Sequence, residues 1–210
     1  MTGDSDLSRA LCARLLSDHD VSARSRQVIA IAGESGSGKS STATSLALAL
    51  DAAGLRSGVL HQDDYFRLPP RTNHEHRCLD LINVGPHEVD LALLHSHIVA
   101  FRARRDGVVA PRVDYPSNAF HTQRLDFSAL DVLIVEGTYV LRLDDVDVRI
   151  FLDATSDDTR ERRRIRDRDI DAPIVDQVLA IEHELIAPQA ALAQIVIDRE
   201  FRLVDSTNKD

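Results

Sequence analysis

The feature that most constrains this chain is the glycine-rich segment Gly33-Glu34-Ser35-Gly36-Ser37-Gly38-Lys39-Ser40. It has the spacing G-x-x-x-x-G-K-[ST], follows an apolar run at 28–32 and precedes an alanine- and leucine-rich stretch ending near Ala53. A phosphate-binding loop requires this strand–loop–helix context. Its glycines let the backbone turn N–H groups inward around a phosphate, and the positive end of the following helix faces the same anion. The segment therefore predicts binding of a nucleotide phosphate and is not typical of a flexible linker.

Individual residues of this loop have the chemistry needed to hold a nucleotide. Lys39 can reach the β- and γ-phosphates, and the hydroxyl of Ser40 can ligate Mg²⁺. The residues predicted to bind ATP are Gly33, Ser35, Gly36, Ser37, Gly38, Lys39, Ser40 and Ser41.

Composition bounds the class of protein. The 210 residues suit one domain, and 43% hydrophobic with 28% charged residues is typical of a globular chain. A formal net charge of −9 argues against a nucleic acid as partner. No apolar run approaches the roughly 20 residues that span a bilayer. The acidic first residues do not resemble a signal peptide, and two cysteines are too few for a disulfide framework, so we expect a cytoplasmic protein.

Strands and helices are predicted to alternate along the chain. Strands are predicted near 27–32, 57–62, 108–115, 131–137, 146–153 and 195–198, and helices near 5–17, 39–53, 87–105 and 173–186. The stretch 68–83, which contains Pro69, Pro70 and several polar residues, is predicted to be a long loop, and 116–127 is predicted to be another loop. This order predicts an α/β fold with three layers around a mostly parallel central sheet.

Acidic residues stand at the predicted carboxyl ends of two strands. Asp63 and Asp64 follow the second strand, and Glu136 closes an otherwise apolar strand. The carboxyl ends of parallel strands face one crevice, so these acids should face the phosphate loop. Asp63 is the candidate base for an acceptor hydroxyl, and Ser40, Glu136 and Asp63 are the candidate Mg²⁺ ligands, directly or through water.

An arginine cluster at 160–168 is the candidate source of positive charge for the transferring phosphate, as part of a closing lid. The alternative is a solvated helix face in which these arginines pair with neighbouring acids. A separate, weaker pattern is the alternation of His74, His76 and Cys78, which would share one side of an extended segment as zinc ligands do.

Taken in order, these motifs resemble the uridine kinase/phosphoribulokinase family of P-loop kinases. The resemblance rests on the phosphate loop, Gln62-Asp63-Asp64-Tyr65-Phe66, Val135-Glu136-Gly137 and the arginine-rich segment that opens Asp158-Thr159-Arg160, and it covers roughly residues 27–200. It implies a P-loop kinase domain at 27–210, preceded by a helix and connector at 1–26, with a lid at about 160–173. It also implies ATP- and Mg²⁺-dependent phosphorylation of a primary hydroxyl on a small molecule.

The resemblance assigns roles to particular residues. It makes Asp63 the base, Glu136 the acid near Mg²⁺, and Lys39, Arg163, Arg166 and Arg168 the catalytic cations. The residues expected near the acceptor are Asp64, Tyr65, Phe66, Arg67, Tyr115 and His121.

The acceptor stays open at this point. Residues 83–90 lack the aromatic residue of the corresponding uridine kinase segment, and the doubled acid at 63–64 is closer to the nicotinamide riboside kinase pattern. We expect the 5′-hydroxyl of a nucleoside such as uridine or cytidine, with nicotinamide riboside, pantothenate or another small alcohol as alternatives. A regulatory P-loop NTPase acting on a protein partner is the rival class. The expected partner is a small-molecule substrate, not a nucleic acid or a membrane, with or without assembly into a homo-oligomer.

Overall fold

The computed structural model describes residues 2–24, 26–155 and 173–205. The helices are α1 (Thr2–Asp18), α2 (Lys39–Ala52), α3 (Pro70–Leu79), α4 (Leu91–Arg102) and α5 (Pro173–Ile186). The strands are β1 (Gln27–Gly33), β2 (Ser57–His61), β3 (Val108–Asp114), β4 (Ala119–Leu125), β5 (Val132–Glu136), β6 (Val148–Asp153), β7 (Ile195–Asp198) and β8 (Leu203–Asp205). Short 3₁₀ turns cover Gln62–Tyr65, Leu81–Asn83, Pro86–Glu88, Val140–Arg142 and Ala187–Leu192.

Six strands form the central sheet in the order β2-β5-β1-β6-β7-β8. Every neighbouring pair is parallel except β7 with β8. The predicted α/β fold with a mostly parallel sheet is confirmed. Among the described residues, no helix has both the length and the apolar character to cross a bilayer.

The central strand β1 is buried on both faces of the sheet. Val28, Ala30 and Ala32 belong to the core on one face, while Ile29 and Ile31 belong to the core on the other face. Such a continuous apolar run is what a parallel strand needs when helices cover both sides. Buried side chains of α1 and α2 fill one of these cores, and those of α4 fill the other. The result is the predicted three-layer arrangement.

Two segments predicted as loops are regular structure. Residues 70–79 form α3, which begins at Pro70, a residue that suits the first position of a helix because it has no N–H to leave unpaired. Residues 119–125 form β4, which pairs antiparallel with β3 in a separate two-stranded hairpin. Asn118, in the turn of that hairpin, accepts the N–H of Arg71 at 2.7 Å and donates to Thr72 Oγ1 at 3.1 Å. The hairpin and the start of α3 are therefore joined beside the carboxyl edge of the sheet.

Candidate active site

The phosphate loop connects the end of β1 to the start of α2. Lys39 Nζ donates to the carbonyl oxygen of Glu34 at 2.8 Å, and the N–H of Ser37 donates to the same oxygen at 3.2 Å. At Gly38 the backbone has a φ of 103°, and an added Cβ would lie 3.1 Å from the ring of Phe201. Glycine is therefore required at this position for both conformation and space.

A cavity of about 180 Å³ lies over this loop. Its lining includes five of the predicted ATP-binding residues, namely Ser35, Gly36, Gly38, Lys39 and Ser40. The other three do not line the cavity: Gly33 and Ser37 are buried within the loop, and Ser41 is exposed on α2.

Electrostatics in this cavity centre on the ammonium group of Lys39, a half-buried residue. Burial lowers the pKa of Lys39, and the nearby carboxylates of Glu136 and Asp63 oppose that shift. A buried cation keeps its charge only when such partners replace the water that it has lost. Lys39 and Asp63 both line this cavity, so they lie on the same side of the sheet.

Ser40, Glu136 and His61 form a connected group at the ends of β5 and β2. Ser40 Oγ donates to Glu136 Oε1 at 3.0 Å, and His61 Nδ1 donates to the same oxygen at 2.7 Å. Burial acts to raise the pKa of Glu136, but the hydrogen bond from His61 and the charge of Lys39 outweigh it and hold that pKa below its usual value. The carboxyl group is thus kept as an anion.

The hydroxyl oxygen of Ser40 and the carboxylate oxygens of Glu136 fit Mg²⁺, which prefers hard oxygen ligands. Among the described residues there is no cluster of three or more His, Cys, Asp or Glu side chains able to hold a metal. The three predicted ligands, Ser40, Glu136 and Asp63, all line the cavity over the phosphate loop. A magnesium ion here would take its protein ligands from these residues, directly or through water, with phosphate oxygens and further waters completing its shell.

The two acids of the 3₁₀ turn after β2 face different partners. The hydroxyl of Tyr115 donates to Asp63 Oδ2 at 2.6 Å. The Asp64 carboxylate accepts the N–H of Val113 at 2.9 Å and Arg112 Nη1 at 3.2 Å. Burial raises the pKa of Asp64, against the effect of these two donors. Asp64 therefore fixes the β3–β4 hairpin to the turn, and this leaves Asp63 beside the cavity.

Asp63 is the residue at which three cavities meet. Besides the cavity over the phosphate loop, it lines a polar cavity of about 470 Å³ and a smaller one of about 150 Å³. The polar cavity is lined by Ser40, His61, Asp63, Asp64, Arg112, Val113, Tyr115 and Glu136. The smaller cavity is lined by Asp63, Phe66, Leu68, Pro70, Asn73, Arg77, Tyr115 and Phe120.

Three residues predicted near the acceptor lie elsewhere. Tyr65 is only 2% exposed and belongs to the hydrophobic core, where its hydroxyl lies 2.7 Å from His97 Nδ1. Arg67 extends over the surface and donates to the carbonyl oxygen of His87 at 3.2 Å. His121 is exposed on β4 and lies 3.4 Å from Asp114. In the 3₁₀ turn Gln62–Tyr65 consecutive side chains point in different directions, so adjacency in the sequence to Asp63 did not bring Tyr65 to the cavities. Arg67 follows this turn and is exposed.

The other predicted residues divide into two groups. Asp64, Phe66 and Tyr115 line at least one of the cavities beside Asp63. The lid arginines Arg163, Arg166 and Arg168 lie outside the described residues. The zinc pattern at His74, His76 and Cys78 falls on α3 and not on an extended segment, so a helical period replaces the alternation on which it depended.

Sequence reasoning missed a buried charged group beside the phosphate cavity. Arg77 of α3 donates to both oxygens of Glu88, at 2.5 and 2.8 Å, and lies 3.1 Å from Glu182 of α5. Burial raises the pKa of Glu182, and Arg77 opposes that effect. Arg77 and Glu182 both line the cavity over the phosphate loop. No local pattern marks these residues, because their partners are distant along the chain.

Residues 28–202 match the sequence profile of the Phosphoribulokinase / Uridine kinase family. The chain belongs to this family. It is a phosphotransferase that uses an alcohol group of a small molecule as acceptor. The three cavities that meet at Asp63 therefore belong to a kinase.

Individual relatives of the kinase carry different names. The uridine kinase of Macrococcus caseolyticus is 30% identical over 183 residues, which cover 81% of this chain and 86% of that protein. The bifunctional alpha-galactosidase/sucrose kinase AgaSK of Mediterraneibacter gnavus is 29% identical over 195 residues. That match covers 86% of this chain but only 21% of AgaSK, so the kinase spans about a fifth of that relative.

A solved structure shares the fold of the kinase. The structure of a possible uridine kinase from Bacillus stearothermophilus superposes with a TM-score of 0.67 at 19% identity. The superposition covers 91% of this chain and 97% of that chain. At this level of identity the likeness concerns the fold alone.

Proposed function

We propose that the kinase transfers the γ-phosphoryl group of ATP, in a Mg²⁺-dependent reaction, to the 5′-hydroxyl of a nucleoside such as uridine or cytidine. The observation that carries this proposal is the position of Asp63, where the cavity over the phosphate loop meets the two cavities beside the hairpin. A phosphate donor seated over Lys39 and an acceptor seated beside Tyr115 would meet at this carboxylate.

Each residue of the site has a part in the transfer. The backbone of the phosphate loop and Lys39 hold the phosphates, and Mg²⁺, when bound, neutralises charge that develops on their oxygens. Ser40 and Glu136 would hold the ion, with Asp63 beside them as the third candidate ligand. Asp63 orients the acceptor hydroxyl and takes its proton as the acceptor oxygen bonds to the γ-phosphorus and the bond to the leaving ADP breaks. The lid arginines Arg163, Arg166 and Arg168 remain a prediction from the sequence.

The two acceptor cavities differ in character in a way that suits a nucleoside. The larger is lined by ionisable side chains, including His61, Asp64 and Arg112, which can hydrogen-bond to ribose hydroxyls. The smaller has the aromatic rings of Phe66, Tyr115 and Phe120 around about 150 Å³, which suits a single planar ring. The relatives named uridine kinase support the same choice.

A sugar is the second candidate acceptor. The relative AgaSK is named in part as a sucrose kinase, and the polar cavity alone would suit a sugar. A sugar would leave the aromatic cavity without a planar ring to bind.

The test is an acceptor screen by coupled measurement of ADP formation from ATP and Mg²⁺. The panel contains uridine, cytidine, nicotinamide riboside, pantothenate, sucrose and fructose, with a reaction lacking acceptor as control. We expect turnover with uridine or cytidine, and ³¹P NMR of the product should show a 5′-phosphate monoester. Turnover with sucrose or fructose and none with any nucleoside would contradict the proposal.

A further inference from the structure

His61 is a half-buried residue at the carboxyl edge of the sheet that neither the sequence motifs nor the family resemblance singled out. It is the last residue of β2, and its Cα partner in the parallel pairing with β5 is Glu136, the last residue of that strand. The two side chains therefore leave adjacent strands at the same level of the carboxyl edge. His61 Nδ1 lies 2.7 Å from Glu136 Oε1, and the imidazole also lines the polar cavity of about 470 Å³.

The hydrogen bonds in this group have a definite direction. Both Ser40 Oγ and His61 Nδ1 donate to Oε1 of Glu136. Because the two oxygens of a carboxylate are rigidly linked, donors fixed on Oε1 also set the direction of Oε2. The Ser40 hydroxyl is itself a candidate metal ligand. The imidazole of His61 is the donor to Glu136 that is not itself a candidate metal ligand, because its Nδ1 is bonded to the carboxylate.

We propose that His61 is a positioning residue for the magnesium site, and that its Nδ1–H holds the Glu136 carboxylate in the orientation in which it serves the ion. Hydrogen-bond partners behind a metal ligand commonly fix its rotamer, and their removal commonly costs about 10- to 100-fold in metal affinity. The inference rests on the proposed metal role of Glu136 but does not depend on which acceptor the kinase uses.

The experiment measures ADP binding to the full chain by calorimetry, with and without Mn²⁺, a cation that takes the same oxygen ligands as Mg²⁺. The quantity of interest is the metal increment, defined as the ratio of the ADP Kd without Mn²⁺ to that with Mn²⁺. Three substitutions are compared with the unchanged chain: His61→Leu, His61→Asn and His95→Leu. His95 provides the matched control, because its Nε2 pairs at 2.9 Å with the exposed carboxylate of Asp145.

His61→Leu is expected to reduce the metal increment by about tenfold or more while leaving the metal-free ADP Kd unchanged, which also shows that the phosphate loop is intact. His61→Asn should restore most of the increment, because the asparagine amide nitrogen is separated from Cα by as many bonds as imidazole Nδ1. His95→Leu should behave as the unchanged chain. An increment for His61→Leu within about twofold of the unchanged chain, or equal losses for Leu and Asn, would overturn the inference.

A fourth variant separates this inference from the proposed function. Glu136→Gln should lower the increment, since it removes the proposed anionic ligand. If Glu136→Gln lowers the increment and His61→Leu does not, only the role of His61 fails. If neither lowers it, the metal role of Glu136 fails as well.

Discussion

At the scale of single residues, the site depends on charged groups that are buried and still paired. Lys39 is balanced by Glu136 and Asp63, and Glu136 is held as an anion by His61 and Ser40. Burial strengthens each of these interactions because less water competes for the same groups. An unpaired charge in this site would be costly, and the nearby carboxylates offset the cost of placing the Lys39 ammonium group there.

His97 gives a prediction about pH at this scale. Its imidazole is buried against the Tyr65 hydroxyl, and burial lowers the pKa of His97 from its ordinary value of 6.5. The unfolded chain therefore binds this proton more readily than the folded chain does. The neutral His97 side chain therefore contributes stability that is fully present above about pH 6.5 and is lost as the pH falls toward the lower pKa of His97 in the folded state.

We expect urea unfolding to show this as a difference between the unchanged chain and His97→Gln. From about pH 7.5 to about pH 5, the free energy of unfolding should fall more steeply for the unchanged chain, since Gln keeps a hydrogen-bonding group but does not titrate. Parallel pH dependences for the two proteins would show that His97 does not make this contribution.

At the scale of elements, α3 is held by polar contacts and not by an apolar face. Its sequence, from Pro70 to Leu79, has no helical repeat of apolar residues. Buried Asn73 donates to Glu88 at 2.8 Å, and Arg77 binds Glu88 and Glu182. These partners lie in a 3₁₀ turn and in α5, so the stability of α3 comes from tertiary structure.

Arg77→Met tests this account of α3. The side chains of Arg77, Glu88 and Glu182 are 15%, 3% and 11% exposed, so removing the cation would leave two buried carboxylates without it. We expect the free energy of unfolding to fall by about 3–5 kcal/mol, with part of that loss recovered in Arg77→Met/Glu88→Gln. Urea unfolding provides the measurement.

The control lies on the same helix. Arg71 is exposed, and its side chain donates to the carbonyl oxygen of Pro116 at 3.1 Å. Arg71→Met should change the free energy of unfolding by only about 0.5 kcal/mol. A similar small change in Arg77→Met would contradict a stabilising role for the buried group.

The same elements show how far the sequence alone could predict the structure. The five parallel strands of the central sheet and helices α2 and α5 have apolar runs or helical periods, and their positions followed from them. Strand β8, from Leu203 to Asp205, was not predicted, because its three residues are too few to show a period. Helix α3 and strand β4 lack such patterns. The contacts that stabilise α3 join residues far apart in the chain, and β4 forms by pairing with β3.

The candidate site, too, could be predicted from the sequence only in part. Asp63 comes just after β2 and Glu136 ends β5, so the parallel sheet placed them at one edge beside the phosphate loop. The pair of Arg77 and Glu182 was not predicted, because Arg77 lies on α3 and this helix was not predicted. Tyr65 was misplaced because its burial depends on the packing of α4, where it meets His97.

At the scale of the whole molecule, the chain brings three cavities together at one carboxylate. The sheet supplies the phosphate loop and Glu136, while α3 and the β3–β4 hairpin supply the walls of the acceptor cavities. The hydrogen bonds of Asp64 to the hairpin and of Asn118 to α3 fix these walls to the sheet edge. Phosphoryl transfer depends above all on such positioning of donor and acceptor.

The most direct measurement of the central claim compares Asp63→Asn with the unchanged kinase in uridine- or cytidine-dependent ADP formation, alongside the ADP Kd of each protein. If Asp63 is the base at the meeting point of the cavities, kcat should fall by about 10²- to 10⁴-fold while the ADP Kd stays nearly unchanged. A kcat within about tenfold of the unchanged kinase, at equal ADP affinity, would contradict the claim.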